Sequence, residues 1–358
     1  MNHFGAEEAF ARPCGFEEEI EIMKDSSANT SLIICAHTLE RWQDLLESVA
    51  SVRRLEPPPD EIVVVVDHNA ELKARAEAQF VDLLVIENRN RRGLSGARNS
   101  GIAASRGSLI AFLDDDAIAE PRWLAYMSSH CDRPEVLGAM GRIEPLWLGP
   151  RPRWFPDEFL WVVGCTYLGH PDKVGPVRSL LGCGMCLRRE VFEKVGGFNA
   201  ALGRTQKSLP MSGEETELCI RARKAIPAGE FIFEPRAVVR HRIPAKRLTQ
   251  RYFWLRCYAE GLSKAYMSAL LRSRQALSAE RTYVWRVLSR GVVRGFGDAI
   301  LRADAEGLGR AFAITAGLAC SIGGFIIGKL ETVANPINLP WRQKSAFRPR
   351  IRALTRFR

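Results

Sequence analysis

Three consecutive carboxylates, Asp114, Asp115 and Asp116, follow the apolar run Leu109–Leu113. Each raises its neighbours' pKa unless a cation or solvent intervenes, so holding them together is costly. Hard oxygen donors at the end of a strand suit Mg²⁺ or Mn²⁺, completed by substrate phosphates. A solvated acidic turn capping the helix opened by Pro121 uses the same residues, and spacing alone leaves both readings open. His241, in VVRHRIP, is a lone histidine that suits a metal ligand or a structural role equally. Cys183 and Cys186 spell a CxxC, but it is a single pair, and a zinc or redox site is not expected from it. Gly93, Ser95 and Gly96 match neither a nucleophile elbow nor a Lys-Ser/Thr phosphate loop.

These side chains need a scaffold, and the apolar pattern describes one. Ser31–Ala36 and Glu61–Val66 are β-branched or apolar runs of strand length. Between them Trp42, Leu45, Leu46, Val49 and Val52 fall on one helical face, which Pro57–Pro59 ends. A helix over Ala70–Phe80, a strand over Leu83–Ile86, a helix over Leu94–Ser105 and a strand over Leu109–Leu113 continue the alternation. The pattern predicts an α/β fold with a mostly parallel sheet flanked by helices. Its ligands belong at the carboxyl ends of the strands, which places Asp67 and the Asp114–Asp116 triplet in one site. Pro145–Gly182 reads as a long irregular excursion. Regular signals return at Gly184–Leu187, from Arg189, at Glu214–Lys224 and at Phe231–Phe233, with His241 placed after the last strand.

The order TSLIICAHT, EIVVVVDHN, RRGLSGARNSGIAASRGSLIAFLDDDA, GCGMCLRREVFEKVGGFN and GEETELCIRAR resembles the family 2 glycosyltransferases of GT-A fold across roughly residues 30–242. The resemblance implies an inverting transferase that moves a sugar from a nucleotide-sugar donor, usually a UDP-sugar, to an acceptor hydroxyl. It implies that Ala36, His37 and Thr38 form the turn that contacts the nucleobase, and that Asp67 recognises the base. A carboxylate there can accept the imide N–H of a pyrimidine. It also implies that Gly93 and Arg98 lie near the donor phosphates, and that Asp114 and Asp115 face the nucleotide side. Asp116 and His241 are then the metal ligands, for Mn²⁺ or Mg²⁺. Ala117 stands where many members carry a further Asp. Glu215 matches the general base at the start of a helix where the family commonly has Asp, and the extra methylene keeps Glu214 a candidate. Glu217, one turn along, reads as a surface charge. A catalytically inactive nucleotide-binding protein of the same fold is the alternative. Gln250–Trp254 only faintly matches the Q-x-x-R-W signature of processive members, because Phe253 stands at the arginine position.

Composition bounds the setting. The 358 residues are 46% hydrophobic and 26% charged, which excludes disordered, collagenous and small disulfide-scaffold classes. Nine cysteines behind an acidic start, with no export signal, lead to the expectation of a cytoplasmic chain. The expected organisation is an acidic, flexible segment 1–28, a GT-A catalytic domain 29–245, a helical region 246–335 and a basic tail 336–358. Ala311–Gly328 contains no charged residue, and residues 331–358 carry seven bases against one acid. An apolar segment followed by basic residues favours an anionic membrane surface over nucleic acid. Association with the inner face of the cell membrane and a glycan or lipid-linked acceptor are expected.

Overall fold

A computed structural model describes residues 29–202, 211–271 and 283–334. The acidic segment 1–28 and the basic tail 336–358 lie outside the described residues. The chain opens as β1 (Thr30–Ala36), α1 (Trp42–Val52), β2 (Glu61–Val66), α2 (Ala70–Gln79), β3 (Leu84–Glu87), α3 (Leu94–Ala104) and β4 (Leu109–Asp114). These elements match the expected alternation to within a residue at most ends. Next come β5 (Ala117–Ala119), α4 (Trp123–His130), β6 (Val136–Trp147), a 3₁₀ segment Asp157–Val163, β7 (Gly175–Val177), β8 (Gly184–Arg188), α5 (Arg189–Val195), α6 (Glu214–Ala225) and β9 (Glu230–Ile243). Helices α7 (Gln250–Leu271), α8 (Ser289–Leu301) and α9 (Glu306–Ala334) follow.

The strands form one sheet in the order β3-β2-β1-β4-β8-β6-β9-β5, with β7 beside β9. Pairing is parallel from β3 to β4, as βαβ crossovers require, and β8 then runs antiparallel to both β4 and β6. Alternate residues of the central strands enter two cores. Leu32, Ile34, Val64 and Leu113 pack with α1 and α2, while Ile33, Val65, Ile110 and Phe112 pack toward α3, α5 and α6. In register, Cys35 lies beside both Val65 and Asp114, so β1, β2 and β4 end flush and their loops open on one edge.

Two long strands exceed the sequence expectation. β6 covers the start of the presumed irregular stretch, and β9 continues ten residues beyond Phe233 to Ile243. Prolines at 145 and 235 hide them, because proline cannot donate to a ladder. The structure accommodates the second with a register shift at Gly141/Arg142, where a Cβ on Gly141 would collide with the Ala237 carbonyl. His241 therefore sits within β9, paired with Pro145 and Ala117, instead of after the strand. The segment between β6 and β7 packs onto α7, where Phe155 and Phe159 each place a ring centroid 5.3 Å from that of Phe253.

Candidate active site

β4 delivers Asp114 to the open edge, and the tight connection to β5 turns Asp115 and Asp116 inward. Both of the latter are buried, and two acids there require cations. Arg41, one short turn after β1, supplies the first: its Nη1 lies 2.8 Å from Asp115 Oδ1 and 3.1 Å from Asp116 Oδ2. Asp116 also lies 3.3 Å from His241 Nε2 and 3.6 Å from Arg247 Nη2. Burial alone would raise its pKa, but His241, Arg41 and Arg247 outweigh that and hold it well below the usual carboxylate range. Asp115 moves the other way because burial outweighs Arg41, and its Oδ2 is without a hydrogen-bond partner.

Asp114, Cys183 and His241 each offer a donor atom within 4.8 Å of the others. Carboxylate oxygen and imidazole nitrogen suit Mn²⁺ or Mg²⁺, with Asp116 beside the imidazole as a further oxygen donor. The Cys183 thiol is a soft donor that matches such hard cations poorly, and burial and then the charges of Asp114 and Asp116 push its pKa up. Cys186 is elsewhere, with its sulfur 3.8 Å from that of Cys131, so the CxxC cysteines do not share a site.

The second group of acids comes from the first turn of α6. Gly213 precedes it at φ +106°, a left-handed conformation that glycine adopts without strain, and exposed N–H groups at the helix start favour carboxylates. Arg98, inside α3, ties this group to the triplet. Its Nη1 donates to Glu215 Oε1 at 2.7 Å and lies 3.7 Å from Glu214, while Nη2 donates to the Gly182 carbonyl at 3.0 Å and lies 3.5 Å from Asp114. The guanidinium lies beside the edge-to-face pair Phe112 and Phe198, 5.9 and 5.3 Å from their centroids, and Arg98 is only 2% exposed. Glu214 is 3% exposed, whereas the Glu215 side chain keeps 15% of its surface open. Glu217, expected as a surface charge, is instead buried against Arg221, which donates to it at 2.7 and 2.8 Å. That arginine also bonds the Val195 and Gly197 carbonyls, so the pair fastens α6 to the turn after α5.

Asp67 closes the edge at the end of β2. It is buried and accepts from Asn88 Nδ2 at 2.6 Å and from the Gly93 N–H at 2.9 Å, with His68 Nδ1 at 2.9 Å. Each carboxylate oxygen accepts about two hydrogen bonds, so capacity remains for a ligand donor. The Asp67 N–H donates to the Ala36 carbonyl at 2.8 Å, and Asn69 donates to the His37 carbonyl at 3.3 Å. Thr38 Oγ1 accepts from the Glu40 N–H at 3.3 Å and caps the turn that presents Arg41. Burial and the nearby Arg41 cation lower the His37 pKa, which favours the neutral imidazole.

Comparison with known proteins places this geometry. Residues 31–196 match the family described as Glycosyl transferase family 2. Over 245 residues the chain is 32% identical to a glucosyl-dolichyl phosphate glucuronosyltransferase of Haloferax volcanii, covering 67% of this chain and 77% of that protein. The chain belongs to glycosyl transferase family 2. This glycosyltransferase is also 23% identical over 288 residues to the succinoglycan biosynthesis protein ExoM of Rhizobium meliloti, covering 76% and 84% of the two chains. Its fold is GT-A: it superimposes with a TM-score of 0.55 and 16% identity on a Pyrobaculum calidifontis mannosyltransferase solved with GDP-Man and Mn²⁺, over 86% and 88% of the chains.

Arg41, Arg247, Asn88 and Gly182 were not singled out in the transferase sequence. Buried acids demand cationic partners, which is a signal that some arginine must be near. With 51 Lys and Arg in the chain, it does not say which.

Proposed function

We propose that this glycosyltransferase is an inverting enzyme that moves one sugar from a UDP-sugar to a hydroxyl of a glycan or lipid-linked acceptor. The observation that carries the reading is the bridge made by Arg98, which holds the metal-side carboxylate Asp114 and the helix-start carboxylate Glu215 on one guanidinium. The more open of the two α6 glutamates, Glu215, takes the proton from the acceptor hydroxyl. The acceptor oxygen then bonds the anomeric carbon from the face opposite the nucleotide as the bond to the diphosphate oxygen breaks, which inverts configuration. Asp114, Asp116 and His241 would hold a divalent cation, Mn²⁺ or Mg²⁺. When bound, such a cation offsets charge on the departing nucleoside diphosphate. Asp67 and the turn Ala36–Thr38 receive the base, and Gly93, at φ +123° and bonded to Asp67, lets the backbone pass close to the nucleotide. Arg98 is a positioning residue in this account, since both its terminal nitrogens bond protein groups.

Relatives named for dolichyl phosphate and succinoglycan support a lipid-linked or polysaccharide acceptor handled at the inner face of the cell membrane. The donor site is tested by calorimetric titration with UDP, GDP and dTDP, each with Mn²⁺ and with chelator. UDP is expected to bind most tightly and to weaken about tenfold or more, at least ~1.4 kcal/mol, in chelator and in Asp116→Asn. Preferred binding of GDP or dTDP overturns the UDP assignment, and metal-independent binding overturns the cation.

A further inference from the structure

The C-terminal helices are packed inside out for a surface in water. Along α9 the row that meets protein is small except for Ile314: Gly307 faces the backbone at Gly295 of α8, Gly317 faces Phe159 and Phe253, Gly324 faces the backbone at Tyr258 of α7, and Gly328 faces Ala265. The opposite row is large and apolar. Leu308, Phe312, Ile322, Ile326, Leu330 and Val333 are all exposed, Phe312 by 65% and Val333 by 79%. Exposed Thr315 and Ala319 fill the gap, so the row keeps steps of three and four residues and forms one stripe along the helix. α8 repeats the arrangement, with Gly291 and Gly295 buried and Val293, Phe296, Ile300 and Leu301 exposed.

In water the large side chains gain most from burial, about 1.5–3 kcal/mol each, so a water-facing helix pair turns them inward. Glycines at the helix contacts with Leu, Ile and Phe outside is the arrangement favoured where the surroundings are hydrocarbon. The charges agree. Ala311–Gly328 is uncharged, Arg286 and Arg290 are exposed beside and on α8 while Arg302 pairs with Asp298 at 3.2 Å, and seven bases against one acid follow in residues 331–358. Cations bordering an apolar face favour anionic headgroups.

We propose that α8 and α9 form a docking surface for an anionic phospholipid bilayer, with α9 lying in the plane of the interface. By length and apolarity α9 could cross a membrane. Its inner row, however, is packed against α7, which is anchored to the catalytic domain through Phe253 and carries the Arg256–Glu260 ion pair at 3.1 Å. A crossing α9 would draw those charges toward hydrocarbon, at considerable cost. Sinking the outer row about 5–10 Å into the headgroup boundary needs no such transfer. The inference rests on the membrane setting proposed above and not on the transfer chemistry.

The test is sedimentation of the full chain with phosphatidylcholine vesicles, with and without phosphatidylglycerol. Wild type is expected to bind the anionic vesicles, and Phe312→Glu with Ile326→Glu to lower the partition about tenfold or more. Both positions are largely exposed, Phe312 packing only edge-to-face on Trp254 at 6.1 Å, so the thermal midpoint should fall little, and Phe312→Ser with Ile326→Ser should move binding in the same direction. Unchanged binding in both double variants overturns the surface. So does a stable dimer that ignores vesicles and becomes monomeric in the variants, because a second copy would then cover the stripe. On sealed vesicles, Arg302→Cys and Ala334→Cys should both react with an impermeant maleimide from outside. Protection of one end until detergent is added overturns the in-plane placement. UDP titration on the same wild-type preparation separates the two proposals: vesicle binding without nucleotide binding refutes the transferase site and leaves the docking surface standing.

Discussion

Replacing Arg98 by methionine removes the charge that holds Asp114, Glu214 and Glu215 together while keeping much of the volume beside Phe112 and Phe198. Breaking a buried ion pair costs about 3–5 kcal/mol, and the partial exposure of Glu215 and Asp114 puts this case near the lower end, at about 3 kcal/mol. At about 2.1 cal/mol/K per residue, a 358-residue chain shifts by about 1.3 °C per kcal/mol, so the Tm should fall by roughly 4 °C. Below that temperature the variant remains folded but loses the bond that fixes Glu215 at 2.7 Å. A displaced base of this kind costs on the order of 100-fold in kcat. UDP affinity should change by less than about threefold, ~0.6 kcal/mol, because both terminal guanidinium nitrogens bond protein groups. Steady-state transfer kinetics and calorimetric UDP titration on one preparation give both numbers. A UDP Kd weakened about tenfold or more with kcat nearly unchanged would place Arg98 on the donor phosphates and refute the positioning role.

Glu215→Gln should abolish transfer while leaving metal-dependent UDP binding intact, and Glu215→Asp should retain part of the rate. Equal rates in wild type and the Gln variant would assign the base to another group, with Glu214 the next to test. Glu234, fully buried in β9, gives a pH signature of its own. Burial would raise its pKa, yet His130 at 2.8 Å and Arg236 at 3.1 Å hold it at about 2 against an ordinary 4.5. A depressed carboxylate stabilises the fold above its unfolded pKa and loses that contribution as pH falls through the folded value. The shift corresponds to about 3 kcal/mol, so the urea-midpoint difference between wild type and Glu234→Gln should shrink steadily between pH 4.5 and 2. A difference independent of pH across that window removes the ionic explanation.

The first half of the fold was legible because each element announces itself locally. Glu61–Val66 is β-branched throughout, and Trp42–Val52 repeats its apolar residues at helical spacing. β6 and β9 were partly hidden because Pro145 and Pro235 normally interrupt strands; a register shift absorbs Pro235, while Pro145 stays in register opposite His241. For the site, the acids and His241 could be singled out by type and order, since strand ends and helix starts are local features. Their counterions could not. Arg41 meets Asp115 across 74 positions and Arg98 meets Glu215 across 117, and such pairings depend on how the strands stack. Glu217 failed for the same reason, because the helical period alone does not reveal that α6 lies on α5 with Arg221 between them.

The strand order also governs the fate of the chain during synthesis. β4 is paired on one side by β1 as soon as it is made, but its other side waits for β8, which begins 70 positions after β4 ends (184 − 114). At about 5–20 residues per second, the ribosome leaves that apolar edge without its neighbour for roughly 4–14 s. Open edges of this kind template pairing with other chains, so the nascent protein is most exposed to aggregation, and most in need of a chaperone, after β4 emerges and before β8 arrives.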